Sequence, residues 1–255
     1  MKLPQIDVYA FPVTIPSTGK EIKMRPYLVR EEKLLLMAQE NDNFKEQTSA
    51  ITQVIENCTN REVDVKTAPY FDIEYLMLQL RARSIGETAT PIYICNNKVN
   101  GVECGNQTSL KLSINDIKIS NTNISTAASD ISIGNDYVLS LHYPNIFDIN
   151  EMVDTIQENS TKSNVIDNLT NLFSVLKNTK TGETFDLTTN TKEEKVEFLE
   201  EQSPTVLKKI IEFFEEMPKI EHTVEYTCSK CGFDHYIYLS GLRSFLEFWE
   251  STTPS

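Results

Sequence analysis

Four of the five cysteines fall into two pairs with matching surroundings. Ile92-Tyr93-Ile94-Cys95 leads across eight residues to Cys104-Gly105, and Tyr226-Thr227-Cys228-Ser229-Lys230-Cys231-Gly232 closes the second pair. Each pair leaves an aromatic-bearing strand, turns tightly and ends in Cys-Gly. Zinc takes four thiolates tetrahedrally, and two knuckles facing each other can supply them. The candidate ligands are therefore Cys95, Cys104, Cys228 and Cys231, holding one structural zinc ion per chain. The second pair is the stronger signal, because the first has a spacing wider than the usual two to four residues. A sphere closed by four thiolates leaves no position for water, which favours a structural role over a catalytic one. Packed or free thiols and a redox pair are the competing readings. A reducing compartment disfavours stable disulfides, and no thioredoxin-like βαβ pattern surrounds the Cys-x-x-Cys. His235, four residues beyond Cys231, is a spare donor more simply read as solvent-facing. Cys58 lies on an apolar helical stripe and reads as a small buried hydrophobe.

With 123 residues between Cys104 and Cys228, such a metal would tie the end of the N-terminal half to a C-terminal hairpin. Its binding free energy would then be folding free energy. The expected class is α+β, with β-hairpins and zinc-ribbon-like knuckles combined with a mainly helical inserted segment. The expected organisation is an N-terminal α+β segment over 1–118 with the first knuckle, a Ser/Thr/Asn-rich linker over 119–136, a mainly helical segment over 137–217, and the Cys-x-x-Cys hairpin with a C-terminal helix over 218–255.

Periodicity supplies the elements. Ile6, Val8 and Ala10 alternate as a strand, and a turn at Ser17-Thr18-Gly19-Lys20 returns to a second strand from Ile22 to Tyr27. Leu34, Leu35 and Ala38 mark one helix. Ile51, Val54, Ile55 and Cys58 mark another at i, i+3, i+4 and i+7. From Pro69, Phe71, Tyr75, Leu78 and Ala82 form one stripe while Leu76, Met77 and Leu80 fill much of the remainder, as expected for a central, buried helix. Residues 92–95 and 108–114 read as strands, 120–136 as a loop, and 137–143 as a strand. Helical stripes follow at Ile149/Met152/Val153/Ile156, Val165/Leu169/Leu172/Phe173/Leu176 and Leu207/Ile210/Ile211/Phe214, interrupted by a β-like piece at Thr184 to Leu187. Thr191 with Glu194 is a capping box. Ile220, His222, Val224 and Tyr226 alternate before the second knuckle, a strand runs to Leu239, and Leu242 to Trp249 reads as an amphipathic helix.

The charge excludes more than it assigns. With 24 basic and 37 acidic residues the net charge is −13, so the field repels a polyphosphate and the counterion-release contribution is missing. No clustered Lys and Arg offset this, so no nucleic-acid partner is expected. A zinc-ribbon nucleic-acid binder remains the rival of a different class, supported only by Lys98 and Lys230. No run approaches the ~20 apolar residues of a membrane span, and the first residues lack the apolar stretch of a secretory signal, so a cytoplasmic location and no membrane partner are expected. The three histidines, His142, His222 and His235, stand in no metalloprotease spacing, and no nucleophile elbow, dinucleotide glycine pattern or kinase set is present. Neither an enzyme nor a small-molecule substrate is expected.

Two stretches carry a resemblance. Met24-Arg25-Pro26-Tyr27-Leu28-Val29-Arg30-Glu31-Glu32-Lys33-Leu34-Leu35-Leu36-Met37-Ala38 and Phe71-Asp72-Ile73-Glu74-Tyr75-Leu76-Met77-Leu78-Gln79-Leu80-Arg81-Ala82-Arg83-Ser84-Ile85-Gly86-Glu87, together with Cys58-Thr59, resemble the baseplate hub and hub-assembly proteins of T-even-type contractile-tailed bacteriophages. The resemblance spans most of residues 1–115 and extends more loosely to the late hairpin. It implies a virally encoded protein made in the host bacterial cytoplasm. Such a protein would contact hub or tape-measure proteins, either as part of the tail baseplate or as an assembly chaperone absent from the mature virion. Candidate contact surfaces are the acidic helices over 193–216 and the Phe245-Phe248-Trp249 face, whose aromatics also suit a core. Physically, the same stretches are a strand ending before a helix with acids in its first turn, and Arg81, Arg83 and Glu87 suit surface ion pairs.

Overall fold

The computed structural model describes residues 7–40, 43–120, 130–157, 166–241 and 244. The fold is α+β, as the patterning implies, and it is organised around one helix. Strands β1 (Phe11–Thr14) and β2 (Glu21–Met24) pair antiparallel, Phe11 opposite Met24. Gly19, at φ 67°, takes the left-handed conformation the turn requires. The inward alternation begins at Phe11 and Val13, later than the sequence suggests. Val8 is exposed, and Ile6 lies outside the described residues.

Helices α1 (Val29–Gln39), α2 (Phe44–Cys58) and α3 (Tyr70–Ser84) follow. Asn43 caps α2 by accepting from the backbone N–H groups of Lys45 and Glu46. Helix α3 is central, as its apolar circumference predicts. Ile73, Leu76, Met77 and Leu80 pack with β1, β2 and α2, while Leu78 and Ala82 face a second core. Its first turn also holds the hairpin in place, since buried Asp72 accepts from both the backbone N–H and the hydroxyl of Ser17. Burial pushes the Asp72 carboxyl above its ordinary range despite those bonds.

The two stretches that carry the resemblance meet in space. Tyr27 N donates to Ser84 Oγ at 2.9 Å, and buried Arg81 donates to the Tyr27 hydroxyl at 3.2 Å. Glu31 accepts from Arg25 and Arg30 at 2.8 Å and from Leu28 N at 2.8 Å. Arg81 is therefore an interior hydrogen-bond donor, whereas Arg83 and Glu87 do form an exposed ion pair.

Beyond α3 the chain makes short ladders: β3 (Thr88–Ala89) with β8 (Leu112–Ser113), β4 (Ile92–Ile94) with β7 (Gln107–Ser109), and β5 (Lys98–Val99) with β6 (Val102–Glu103). Strand β9 (Lys118–Ile119) then pairs with β14 (Ile220–Thr227), which pairs along its length with β15 (Asp234–Ser240). Leu110, Leu112, Ile114, Ile220, Val224 and Leu239 pack this layer against Leu78 and Ala82 of α3.

Between β9 and β14 lies a unit with its own core. Strands β10 (Asp130–Ile133), β11 (Tyr137–Leu141), β12 (Phe173–Asn178) and β13 (Thr184–Asp186) form one antiparallel sheet in that order. Helices α4 (Ile146–Gln157), α5 (Lys192–Glu200) and α6 (Pro204–Glu216) accompany it. The capping box of α5 forms as read, Thr191 Oγ1 accepting from Glu194 N and Glu194 accepting from Thr191 N.

Two readings of this unit change. The supposed loop contains β10, whose Ile131 and Ile133 alternate inward before a turn at Gly134. The helical stripe through Leu176 is a 3₁₀ turn at Leu169–Leu172 followed by β12, with Val165 outside the described residues. Turn chemistry overrides the apparent period in the second case. Asn178 accepts from Lys180 N and Thr181 N, and Gly182 at φ 78° closes the hairpin to β13. The expected helix Leu242 to Trp249 also lies outside the described residues. Among those described, no helix is long and apolar enough to cross a membrane.

Candidate metal centre

The two cysteine pairs come together, and their backbones are built alike. In the second knuckle Cys228 N donates to Phe233 O at 2.8 Å and Gly232 N to Cys228 O at 2.8 Å. In the first, Cys95 N donates to Asn106 O at 2.9 Å and Gly105 N to Cys95 O at 3.0 Å. Gly105 and Gly232 both take positive φ, 63° and 72°. The wide first spacing is thereby explained: β5 and β6 form a small hairpin lifted out of the knuckle. Its Asn100-Gly101 turn has both φ values positive, and Cys104 N donates to Asn97 O at 2.8 Å across its base. Without residues 98–103, the first knuckle would read Cys-Asn-Asn-Cys-Gly, matching Cys-Ser-Lys-Cys-Gly.

The sulfurs of Cys95 and Cys231 lie 3.7 Å apart, those of Cys104 and Cys228 lie 3.8 Å apart, and all four fall within 4.8 Å of one another. A regular tetrahedron with metal–sulfur bonds of about 2.3 Å has edges of about 3.8 Å, so the donor set fits a tetrahedral thiolate site. Cys95, Cys104 and Cys228 are buried, and Cys231 is half-buried. Cys58 is elsewhere, in the α2 core, where burial raises its thiol to about 11.

Electrostatics explains why a cation suits this cluster. Backbone N–H groups of Cys231 and Lys230 lower Cys228 to about 6, and the Asn97 side chain, followed by the Phe233 backbone, lowers Cys231. Burial drives Cys95 up to about 12, and Cys104 is raised despite a bond from the Asn106 backbone, because burial and its thiol neighbours oppose ionisation. A divalent cation is the natural means of making all four thiolates at once.

His235 is not solvent-facing. Its ring stacks on Tyr226 at 4.7 Å with 9° between planes and meets Phe233 edge-on, which brings Nε2 to 3.1 Å from Cys95 Sγ. It borders the cluster without being one of its four donors. Two neighbours escaped the sequence reading, Asn97 and Asn106, whose amides reach Cys231 and Cys228, while Lys230, read there only as a basic residue, donates to the Cys104 carbonyl. The readable signal was Val99-Asn100-Gly101-Val102, a tight-hairpin pattern. Recognising it as an insertion aligns the two knuckles.

A sequence model described as T4 bacteriophage base plate protein matches residues 8–247. No curated protein and no solved structure matches the chain significantly.

Proposed function

The chain belongs to the T4 bacteriophage base plate protein family, and from that premise we propose that it acts at the hub of the tail baseplate, through contacts with hub or tape-measure proteins. What supports a baseplate role is a family match running through nearly all the described residues, and what supports the hub is the resemblance carried by the stretches Met24 to Ala38 and Phe71 to Glu87. Within it, Cys95, Cys104, Cys228 and Cys231 bind one zinc ion whose role is purely structural. The ion fastens the end of the N-terminal segment to the C-terminal hairpin, so that residues 1–118 and 218–255 act as one frame and the unit between β9 and β14, β10 included, as an insertion. The sulfur spacing supports zinc, since a closed four-sulfur tetrahedron suits it. The acidic helices α5 and α6, with Glu193, Glu194, Glu197, Glu212, Glu215 and Glu216 exposed, are the proposed contact surface. A net charge of −13 supports protein partners over nucleic acid. No catalytic role is proposed.

The protein is made in the host cytoplasm and, on this reading, ends in the virion. The test is to interrupt its gene in the phage and image the resulting tails, with mass spectrometry of purified wild-type baseplates alongside. Hubless or stalled baseplates together with the chain in wild-type particles support a hub subunit. Stalled baseplates with the chain absent from finished particles make it an assembly chaperone. Normal baseplates and infectious particles without the chain overturn the proposal.

A further inference from the structure

The sulfurs are not held by their own knuckles alone. From the first knuckle, Asn97 Nδ2 donates to Cys231 Sγ at 3.6 Å, and Asn106 Nδ2 donates to Cys228 Sγ at 3.6 Å and to Ser229 Oγ at 3.3 Å. In the opposite direction, Lys230 Nζ donates to Cys104 O at 2.9 Å, and His235 Nε2 lies 3.1 Å from Cys95 Sγ. Each knuckle therefore grips the other's ligand residues. A thiolate repels an amide oxygen, so the NH₂ ends of both asparagines belong against sulfur.

We infer that Asn97 and Asn106 are positioning residues that make the metal centre slow to exchange, an inference that rests on the four-thiolate reading above. Four thiolates around a divalent cation leave two negative charges in a chain already at −13. N–H donors withdraw charge from the sulfurs and so offset part of that excess. They also act mechanically. The metal is lost when a sulfur swings away, and both sulfurs of the Cys-x-x-Cys pair must break a bond to the opposite knuckle before they do. The ligands' own sequence cannot supply this, because in each case donor and sulfur come from segments more than a hundred residues apart.

The experiment times transfer of zinc from the full-length protein to a chromophoric chelator, for wild type, Asn97→Ala, Asn106→Ala and Asn106→Asp. Asn96→Ala serves as control, since that side chain is exposed beside the same cysteines. Loss of a partner outside the metal's own ligands typically weakens a site ~10–100-fold, and release from the Asn97 and Asn106 variants is expected to accelerate on that scale while Asn96→Ala stays at the wild-type rate. Cobalt-loaded forms give a second readout, with the sulfur-to-cobalt charge-transfer bands moving to lower energy as a donor is removed. Thermal melting of each metal-free form separates positioning from general destabilisation. Both asparagines are only half-buried, and the serine variants take over if an alanine form fails to fold. Wild-type release rates and unshifted bands in both positions overturn the inference while leaving the zinc site standing. A wild-type chain that binds neither zinc nor cobalt overturns both.

Discussion

The block around α3 and the knuckle end of the ribbon are held together by different physics. In the first, Ile73, Leu76, Met77 and Leu80 are fully buried, and hairpin, helices and ion pairs close around them. In the second, the strands of the first knuckle, two or three residues long, carry apolar side chains outward, Ile94 at 63% and Val102 at 72% exposed, and only the second knuckle stands on a long hairpin. A buried side chain of this size contributes about 1.5–3 kcal/mol, so α3 needs no cross-link. Strands this short and exposed cannot hold themselves in place. The difference teaches where a metal matters: at the end of the molecule where burial runs out.

The sharpest way to break this contrast is Cys228→Ser/Cys231→Ser. Elemental analysis is expected to fall from about one zinc per chain to none, and hydrogen exchange to show amide protection lost at β4, β7 and both knuckles but kept in α3. Simultaneous loss in α3 would mean that the two regions are one cooperative unit. The converse change is Leu76→Ala, which leaves a cavity in the α3 core. A loss of about 2–5 kcal/mol is expected in urea unfolding, with zinc content unchanged. A loss below about 1 kcal/mol would show that α3 is less central than its burial indicates.

The smallest effect is electrostatic. Burial raises the Glu31 pKa, but hydrogen bonds from Arg25, Arg30 and the Leu28 backbone outweigh it and hold the carboxyl at about 2. A depressed folded-state pKa contributes stability that is complete above the unfolded value near 4.5 and disappears as pH falls toward 2. That contribution is worth up to about 3 kcal/mol. Glu31→Gln should flatten the acid limb of a stability–pH curve between about pH 5 and 2. An unchanged limb would show that Glu31 carries none of the acid sensitivity.

Helices α2 and α3 were readable because their apolar residues recur on helical spacing for three or more turns, and β14 because Ile220 to Tyr226 alternate cleanly. Strand β10 was hidden by its setting, since Ile131 and Ile133 end a run of Ser, Thr and Asn whose composition suggests a loop. Strand β12 was hidden by coincidence, because Leu169, Leu172, Phe173 and Leu176 satisfy a helical period that only the Asn178–Gly182 turn contradicts. All four members of the sulfur cluster were legible from Cys-Gly and the strands before it. Asn97 and Asn106 were not, because an amide that bonds a sulfur more than a hundred positions away leaves no trace in local spacing. Arg81 likewise read as a surface charge, since nothing near it in the chain announces Tyr27.

The pairing of β9 with β14 has a consequence for how this chain can change over time. Ser120 N donates to Lys219 O at 2.9 Å, and Ile119 stands opposite Ile220, so roughly a hundred residues depart and return one strand apart. Closing a loop costs free energy only as the logarithm of its length, about 0.6 kcal/mol per doubling. Lengthening, shortening or exchanging that excursion therefore taxes the frame very little, and related chains can diverge there while sharing the same anchored ends.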